Sequence, residues 1–438
     1  MADSAEFRAS RAGYSIPLSE IEKGSDTEPL KSDGPNPDDF PDGGLKAWSV
    51  VLGGCCCLFT SFGWINCIGI FQNYYQSHQL SNYPPSTIAW IPSTETFMMY
   101  AIAPVYGKVF DTYGPRPLLY FGTFAHVFGL MMTSLASKYY QFFLAQAVCS
   151  GMGASALFYA GTNPVGTWFF RKRALAFGIV SAGSSLSGCL LPIMIERLLP
   201  HLGFAWVMRV IAFIFLGLLM VAMCTLESRI APTPKRVRFK EFVSPLREPA
   251  FLFNALGSFF FFWGVFLPFN FLILEAQHFG FSEGLATYLI AILNGTSVFG
   301  RVIPGWLGDR IGRFNIMIIT TTSSMILVLA LWIPARSHAA IITFAALYGF
   351  TSGTFVSMAP ALVVQISKVQ EIGVRTGTSF FIISTAGLTG NPIAGALITM
   401  DNGGYLYMQL FCGATMAVGA SLIGVSRYAQ AGWALKKV

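Results

Sequence analysis

Between Ala47 and Arg427 the chain is a succession of apolar stretches, each about twenty residues long, and only one long polar run, Glu227 to Pro249, interrupts them. A segment of that length in a bilayer has no water to satisfy its backbone, so it must pair its own N–H and C=O groups as a helix rather than as a barrel strand. Composition enters as a check. Hydrophobic residues make up 54% and charged residues 11% of the chain, with a mean hydropathy of +0.57, far from the roughly 25% charged residues of a soluble domain. The expected fold class is an all-α, multi-pass membrane protein.

Helices are expected near 47–76, 86–109, 118–136, 139–166, 174–199 and 203–226, then 250–276, 282–307, 314–334, 339–366, 374–399 and 404–427. Twelve spans in two six-helix halves place both termini on one side. Basic residues say which side. Loops on the side of the polar run hold eighteen bases (Lys108, Arg116, Arg171, Lys172, Arg173, Arg229, Lys235, Arg236, Arg238, Lys240, Arg247, Arg310, Arg313, Lys368, Arg375, Arg427, Lys436 and Lys437), and the opposite loops hold Lys138, Arg197 and Arg336. Basic loops next to spans stay cytoplasmic, so the linker 227–249 and both termini are expected there. Residues 1–46 carry ten acids against five bases and read as a disordered acidic tail; residues 428–438 form a second tail. No apolar core follows a basic start, so the first span itself is expected to act as the insertion signal. The positive balance of the membrane body is a topology signal and not a nucleic-acid one.

An internal repeat is visible in residues as well as in hydropathy. Gly107, Asp111 and Gly114 in GKVFDTYGPRP recur 198 residues later as Gly305, Asp309 and Gly312 in GWLGDRIGRF. Both runs require a tight turn between two helices, where Gly enters conformations closed to other residues. Asp can cap the following helix, and Arg can bond the carbonyls that end the preceding one. One reading is a stitch between helices. The other is a latch, made of Asp111, Arg116, Asp309, Arg310 and Arg313, that closes the cytoplasmic side of a rocking transporter.

These paired loops resemble the repeated loop of the major facilitator superfamily. Two further stretches resemble its monocarboxylate porter family: Pro41-Asp42-Gly43-Gly44-Leu45-Lys46-Ala47-Trp48 at the entry to the first helix, and the run Trp168 to Gly178, continuing through Ala182-Gly183 to Gly188, at the fifth. The resemblance covers residues 41 to 427 and is nearest to fungal members of that family. It implies facilitated or ion-coupled movement of small organic acids without ATP. Physically, Asp42 offers a cap at the positive end of the first helix. Gly178, Gly183 and Gly188, with the serines around them, make a thin fifth helix suited to a sliding contact between halves or simply to tight packing.

Ionisable residues inside the membrane are costly, about 2.5–3.5 kcal/mol each on insertion scales, and mark cavities or partners. Arg301 lies roughly 10 Å from the cytoplasmic end of the eighth span, at about 1.5 Å per residue. It matches the eighth-helix arginine that the resemblance associates with a substrate carboxylate, a partner that a guanidinium meets through two parallel hydrogen bonds. The alternative is a tether to nearby carbonyls or to the Asp309 loop. Glu95 falls near the midplane of the second span, where a carboxyl can hold or exchange a proton or stay bonded to neighbouring hydroxyls. Arg209 reads as structural, snorkelling to the outer interface. Two departures stand out: the acid and the lysine that proton-coupled animal members use are replaced by Ser297 and, on or beside that position, Asn66. Lactate-type symport therefore does not carry over.

By resemblance the cavity is lined by the first and fourth helices of each half, where Asn66, Trp64, Tyr159, Asn163, Trp263, Asn270, Tyr348 and Gln365 stand. Forty phenylalanines suit either a pocket for a partly aromatic solute or a lipid-facing surface. Gly151-Met-Gly153 sits in an expected membrane helix, not after a strand, and is no dinucleotide loop. The eight cysteines lie in apolar segments without metal spacing. No enzyme, cofactor, metal or nucleic-acid partner is expected. The function expected is alternating-access transport of a small organic acid or amphipathic metabolite across the plasma membrane, or a vacuolar or other internal one, with Arg301, Asn66, Asn270, Tyr159 and Tyr348 at the substrate and Glu95 at a coupled proton. The alternatives are uptake of a vitamin-like or polyol solute, and a non-transporting nutrient sensor.

Overall fold

Apolar stretches of the expected length become helices, and at most of the breaks in their hydrogen-bond ladders a residue accounts for the break. Span 1 comprises Gly44–Thr60, Phe62–Ile65 and Ile68–Ser77; span 2 comprises Trp90–Ala101 and Ala103–Tyr113. Span 3 is Arg116–Thr133 and span 4 is Tyr139–Trp168. One helical run, Arg173–Thr225, holds spans 5 and 6, which part at Gly203 with φ 71°. Span 7 is Pro249–His278, broken at Phe266. Spans 8 to 12 are Glu283–Ile311, Arg313–Trp332, His338–Gln365, Ile372–Met400 and Leu406–Ala431. The computed structural model describes residues 39–230, 239–434 and 437, all within one unit, Pro37–Val438. Residues 1–38 of the expected acidic tail 1–46 and linker residues 231–238 lie outside the described residues; residues 39–46 correct that expectation, since Phe40 is buried and Gly44–Lys46 already belong to span 1.

Eight stretches are long and apolar enough by length and composition to cross a membrane, and one of them is the double run 173–225. Spans 2, 3 and 8 complete the twelve. Span 2 is broken, span 3 has 18 residues, and span 8 carries Arg301, Asp309 and Arg310. Pro104 and Pro268, at the starts of the second segments of spans 2 and 7, lack the N–H that would continue the preceding turn. Span 1 has no proline at either of its two breaks. At the first, the hydroxyls of Thr60 and Ser61 both donate to the Cys57 carbonyl, at 3.0 and 2.6 Å, and compete with the ladder. Two π-helical segments, Phe143–Ser150 in span 4 and Leu327–Trp332 in span 9, shift the register of the side chains they carry.

The halves meet along two seams, span 5 against span 8 and span 2 against span 11. Glycine makes both possible. A Cβ on Gly107 would stand 2.0 Å from the Gly373 carbonyl oxygen, and one on its repeat-mate Gly305 would stand 2.7 Å from that of Ala174. One turn away Gly377 meets the Ala103 carbonyl and Gly178 that of Arg301, each at 2.5 Å. The small residues of span 5 are divided in use: Gly178 and Gly188 face span 8, whereas Gly183 packs on Cys55 of its own half. Aromatic residues are divided as well, since Phe124, Phe128, Phe213 and Phe299 are exposed on the outer surface of the helices while others fill the interior.

Candidate functional site

The interior between the halves is built of rings. Tyr100 of span 2 stacks on Phe380 of span 11 at 5.4 Å and meets Phe262 of span 7 edge-on at 5.4 Å. Phe62 of span 1 lies 5.8 Å from Phe266, at the break of span 7, and Phe158 and Tyr159 of span 4 lie 5.4 and 6.1 Å from Phe380. Every one of these contacts crosses from one half to the other. Arg301 borders this box with its guanidinium carbon 6.0 Å from the Phe62 centroid. The residue is only 1% exposed. Its Nη1 donates to the Ser181 carbonyl at 2.5 Å and to the Ser184 hydroxyl, and its Nε to Ser297 Oγ at 3.3 Å. Span 5 thus holds the cation by a carbonyl and a hydroxyl, and among the described residues no carboxylate pairs with it. None of these bonds uses Nη2.

The other expected substrate residues are spread along the same interior. Tyr159 is buried with a hydroxyl that has no partner among the described residues, as have Asn163 Nδ2 and Trp263 Nε1. Asn66 donates to the Ser184 carbonyl at 3.3 Å, beside the Arg301 contact. Tyr348 is committed to the Val265 carbonyl at 2.8 Å. Asn270 is exposed on span 7 and donates to Asn391 of span 11 at 2.8 Å, away from the linker side. The structure therefore brings Arg301 and Tyr159 to the rings, sets Asn66 beside the Arg301 contact on span 5, and leaves Tyr348 and Asn270 at the edges.

Glu95 is fully buried and accepts three hydrogen bonds: Trp64 Nε1 at 2.7 Å, Gln146 Nε2 at 3.1 Å and Ser150 Oγ at 3.5 Å. Gln146 and Ser150 come from the π segment of span 4, which turns both toward span 2. Beyond them Tyr75 donates to Gln146 Oε1 at 2.7 Å, and His126 lies 2.9 Å from Ser150 Oγ with its other nitrogen 3.0 Å from the Thr60 carbonyl. The single hydroxyl proton of Ser150 can serve either Glu95 or His126. Arg209, by contrast, is half-buried, bonded to Ser134 and stacked near Trp206.

On the linker side two carboxylates join the halves. Asp111 accepts the backbone N–H of Gly373 and Val374 at 2.9 and 2.8 Å; its repeat-mate Asp309 accepts those of Ala174 and Leu175 at 3.0 and 2.8 Å. Each thus caps a helix of the opposite half and not the helix that follows it in the chain, which corrects the local capping expected from sequence. Arg313 bonds Asp309 from Nε and Nη2, at 3.0 and 2.9 Å, and reaches Phe170 O at 2.5 Å. Arg116 and Arg310 are exposed outside these joints, Arg310 lying over Trp306 at 3.7 Å. Asp42 likewise departs from its expected role. It has φ 50° and accepts from the N–H groups of Phe170, Arg171 and Lys172 at 2.8, 3.0 and 3.1 Å, so it caps the turn before span 5 and ties it to span 1.

Three features escaped the sequence reading. Lys108 pairs with Glu241 of the linker helix Phe239–Val243 at 2.6 Å, and Arg375 pairs with Glu248. Glu275 is 1% exposed and buried between spans 9 and 12. It stands one residue from the expected end of span 7 and is not among the charges singled out from the sequence. An acid inside any apolar window was the available signal.

The family model of the Major Facilitator Superfamily matches residues 53–342 and 255–431. The chain is 50% identical over 402 residues to "MFS-type transporter 1" of Ophiocordyceps sp., covering 92% of this chain and 90% of that one. It is 42% identical over 407 residues to the "Fujikurins efflux protein" of Gibberella fujikuroi, covering 93% and 86%. Among solved structures the human organic anion transporter MFSD10 superposes with a TM-score of 0.71 at 17% identity, over 86% of this chain and 98% of that one, a likeness of fold.

Proposed function

The chain belongs to the Major Facilitator Superfamily, and from that premise we propose that it exports an amphipathic organic acid with an aromatic part, by alternating access between its two halves. The observation that carries this reading is the box of rings shared by both halves with the Arg301 guanidinium at its border. Ring faces bind flat apolar surface, and one buried cation without a carboxylate partner selects an anion. Arg301 is the anion contact, with Nη2 turned to the solute. Tyr159 and Asn66 orient the polar end, and Tyr348 and Asn270 line the path. The unpartnered Tyr159 hydroxyl gains an acceptor when the solute enters. Efflux as the direction follows the name of the Gibberella fujikuroi relative, an efflux protein. The monocarboxylate-porter-like part of the reading rests on Asp42, the fifth-helix run and Arg301, with a solute larger than lactate.

Glu95 exchanges the coupled proton in this scheme, with Ser150 and His126 as its route. Asp111, Asp309 and Arg313 close the linker side, which the basic bias places in the cytoplasm, and the plasma membrane is the proposed location. The test uses full-length protein in proteoliposomes with labelled aromatic carboxylic acids of increasing apolar size. Uptake by counterflow should favour the larger acids, and Arg301→Lys should weaken apparent affinity about tenfold or more while protein level holds, since the ammonium loses the planar fork. Equal transport of aliphatic and aromatic acids, or normal affinity in Arg301→Lys, would remove the proposed site. Glu95→Gln should abolish pH-driven accumulation and spare counterflow; unchanged pH-driven accumulation excludes Glu95 as the proton group.

A further inference from the structure

Each half contains one buried glutamate on which an indole N–H and a glutamine amide converge. In the first half these are Trp64, Glu95 and Gln146. In the second, Trp332 Nε1 donates to Glu275 Oε2 at 2.5 Å and Gln409 Nε2 donates to Oε1 at 2.7 Å. The two trios are not products of the repeat. Residues 198 places after Trp64 and Glu95 are Phe262 and Leu293, and the second trio draws on spans 7, 9 and 12 instead of spans 1, 2 and 4. The same side-chain set has been assembled twice from different helices. In both cases a π segment supplies a member, Gln146 in span 4 and Trp332 in span 9. Such segments are uncommon and concentrate at functional sites.

The chemistry of the trio suits a carboxyl that changes charge. An indole only donates, whereas a glutamine amide offers N–H on one side and C=O on the other. A charged Glu275 accepts both N–H groups, as found. When it carries a proton both bonds lose their charge assistance and weaken; the new O–H meets the Gln409 N–H unless that amide turns its carbonyl to it, and only Trp332 still donates to the other oxygen, so the hold of the trio loosens. What the trio holds is the outer segment of span 7, Leu267–His278, beyond the break at Phe266. Trp332 stacks on Phe344 at 5.1 Å, Phe344 stacks on Tyr348 at 5.1 Å, and the Tyr348 hydroxyl donates to Val265 at the break. Both ends of the segment are therefore fastened to spans 9, 10 and 12. The charged and titratable groups facing Glu275 are Arg336, following span 9, and Tyr405, preceding span 12, with His278 of its own helix against the Tyr405 ring.

We propose that Glu275 is a second protonatable positioning residue, which fastens the outer segment of span 7 while charged and lets that segment swing toward the ring box once it has taken a proton from the outer solution. The proposal rests on the reading of the chain as a proton-linked carrier and gives each half its own exchanging carboxyl. The test uses the full chain in proteoliposomes with a reporter cysteine, Leu274→Cys, on the exposed side of that segment, and reads maleimide reaction at its own peptide by mass. Because only the thiolate reacts, the rate is divided by that of a free thiol in the same buffer, and this ratio should change at least about threefold between acid and neutral buffer in the otherwise unaltered chain. Glu275→Gln should abolish that change, and Glu95→Gln should leave it in place. Gln409→Leu, which removes the turning amide but keeps the acid, should displace the pH midpoint without abolishing the response, and decides the matter where Glu275→Gln does not fold. A reporter response that persists in Glu275→Gln, is absent throughout, or keeps its midpoint in Gln409→Leu overturns the proposal. Loss of pH-driven accumulation in Glu95→Gln under those outcomes leaves the carrier reading intact, whereas its persistence with a Glu275-dependent reporter removes only the role of Glu95.

Discussion

The two joints on the linker side share one design and differ in how it is reinforced. At each, an aspartate accepts two consecutive N–H groups at a helix start of the opposite half, over a glycine that lets the backbones touch. At the span 5–8 joint the reinforcement is internal: Arg313 bridges Asp309 to Phe170 and Gln365, and Asp42 fixes the turn beside it. The equivalent of Arg313 in the first half is Pro115, so the span 2–11 joint has no such fork. It is held by the linker, through Lys108 with Glu241, Arg375 with Glu248, and Thr378 with the Phe242 carbonyl at 3.4 Å. A duplicated motif thus preserves the capping carboxylate and leaves the charge that steadies it free to come from elsewhere.

This contrast can be broken first at the glycines. Gly107→Ala places a methyl 2.0 Å from a backbone oxygen with no flexible neighbour to yield, so the span 2–11 joint should fail to close and transport should fall below about one tenth at normal expression. Gly305→Ala, at 2.7 Å, should cost less. Equal rates in the two variants would show that the seams are not limited by this approach. Next come the caps. Asp111→Asn and Asp309→Asn keep the shape but lose charge-assisted bonds worth about 1.5–3 kcal/mol each, and should alter turnover about tenfold with little change in apparent affinity. Unchanged turnover in both would leave these residues as stitches between helices.

The reinforcements should separate the joints. Arg313→Leu leaves Asp309 with its two N–H partners only, and should alter turnover severalfold without sensitivity to salt, because the pair is largely enclosed with side chains 11% and 9% exposed. Glu241→Gln removes a pair that is 10% and 32% exposed, so its effect should be the smallest, about 1 kcal/mol or less, and should be mimicked by high salt in the unaltered chain. A salt effect that persists in Glu241→Gln would place the screened pair elsewhere.

Asp111 and Asp309 were legible because a repeat is visible in residues alone, yet the groups they bind were not, since their partners lie 262 and 135 residues along the chain. Local rules pointed each aspartate at its own neighbouring helix. Asp42 misled in the same way: its position before span 1 suggests a cap there, but its left-handed backbone turns the carboxylate to the entry of span 5. Arg301 and Glu95 stood out as costly charges within apolar windows. That one would be tethered by Ser181 and Ser184 and the other enclosed by Trp64 and Gln146 depended on helices brought alongside.

The sequence by itself determined the all-helical membrane fold, its two halves and two of the residues, Arg301 and Glu95, at which charge enters the apolar interior, because in lipid each span must satisfy its own backbone and a charge inside an apolar window has a visible cost. Only the tertiary structure decided which helix each carboxylate caps, that rings from both halves meet in a box with Arg301 at its border, and that Glu275 is enclosed at all. Those outcomes depend on contacts between segments far apart in the chain, where a close approach of glycines or a one-residue π register shift changes which side chain meets which.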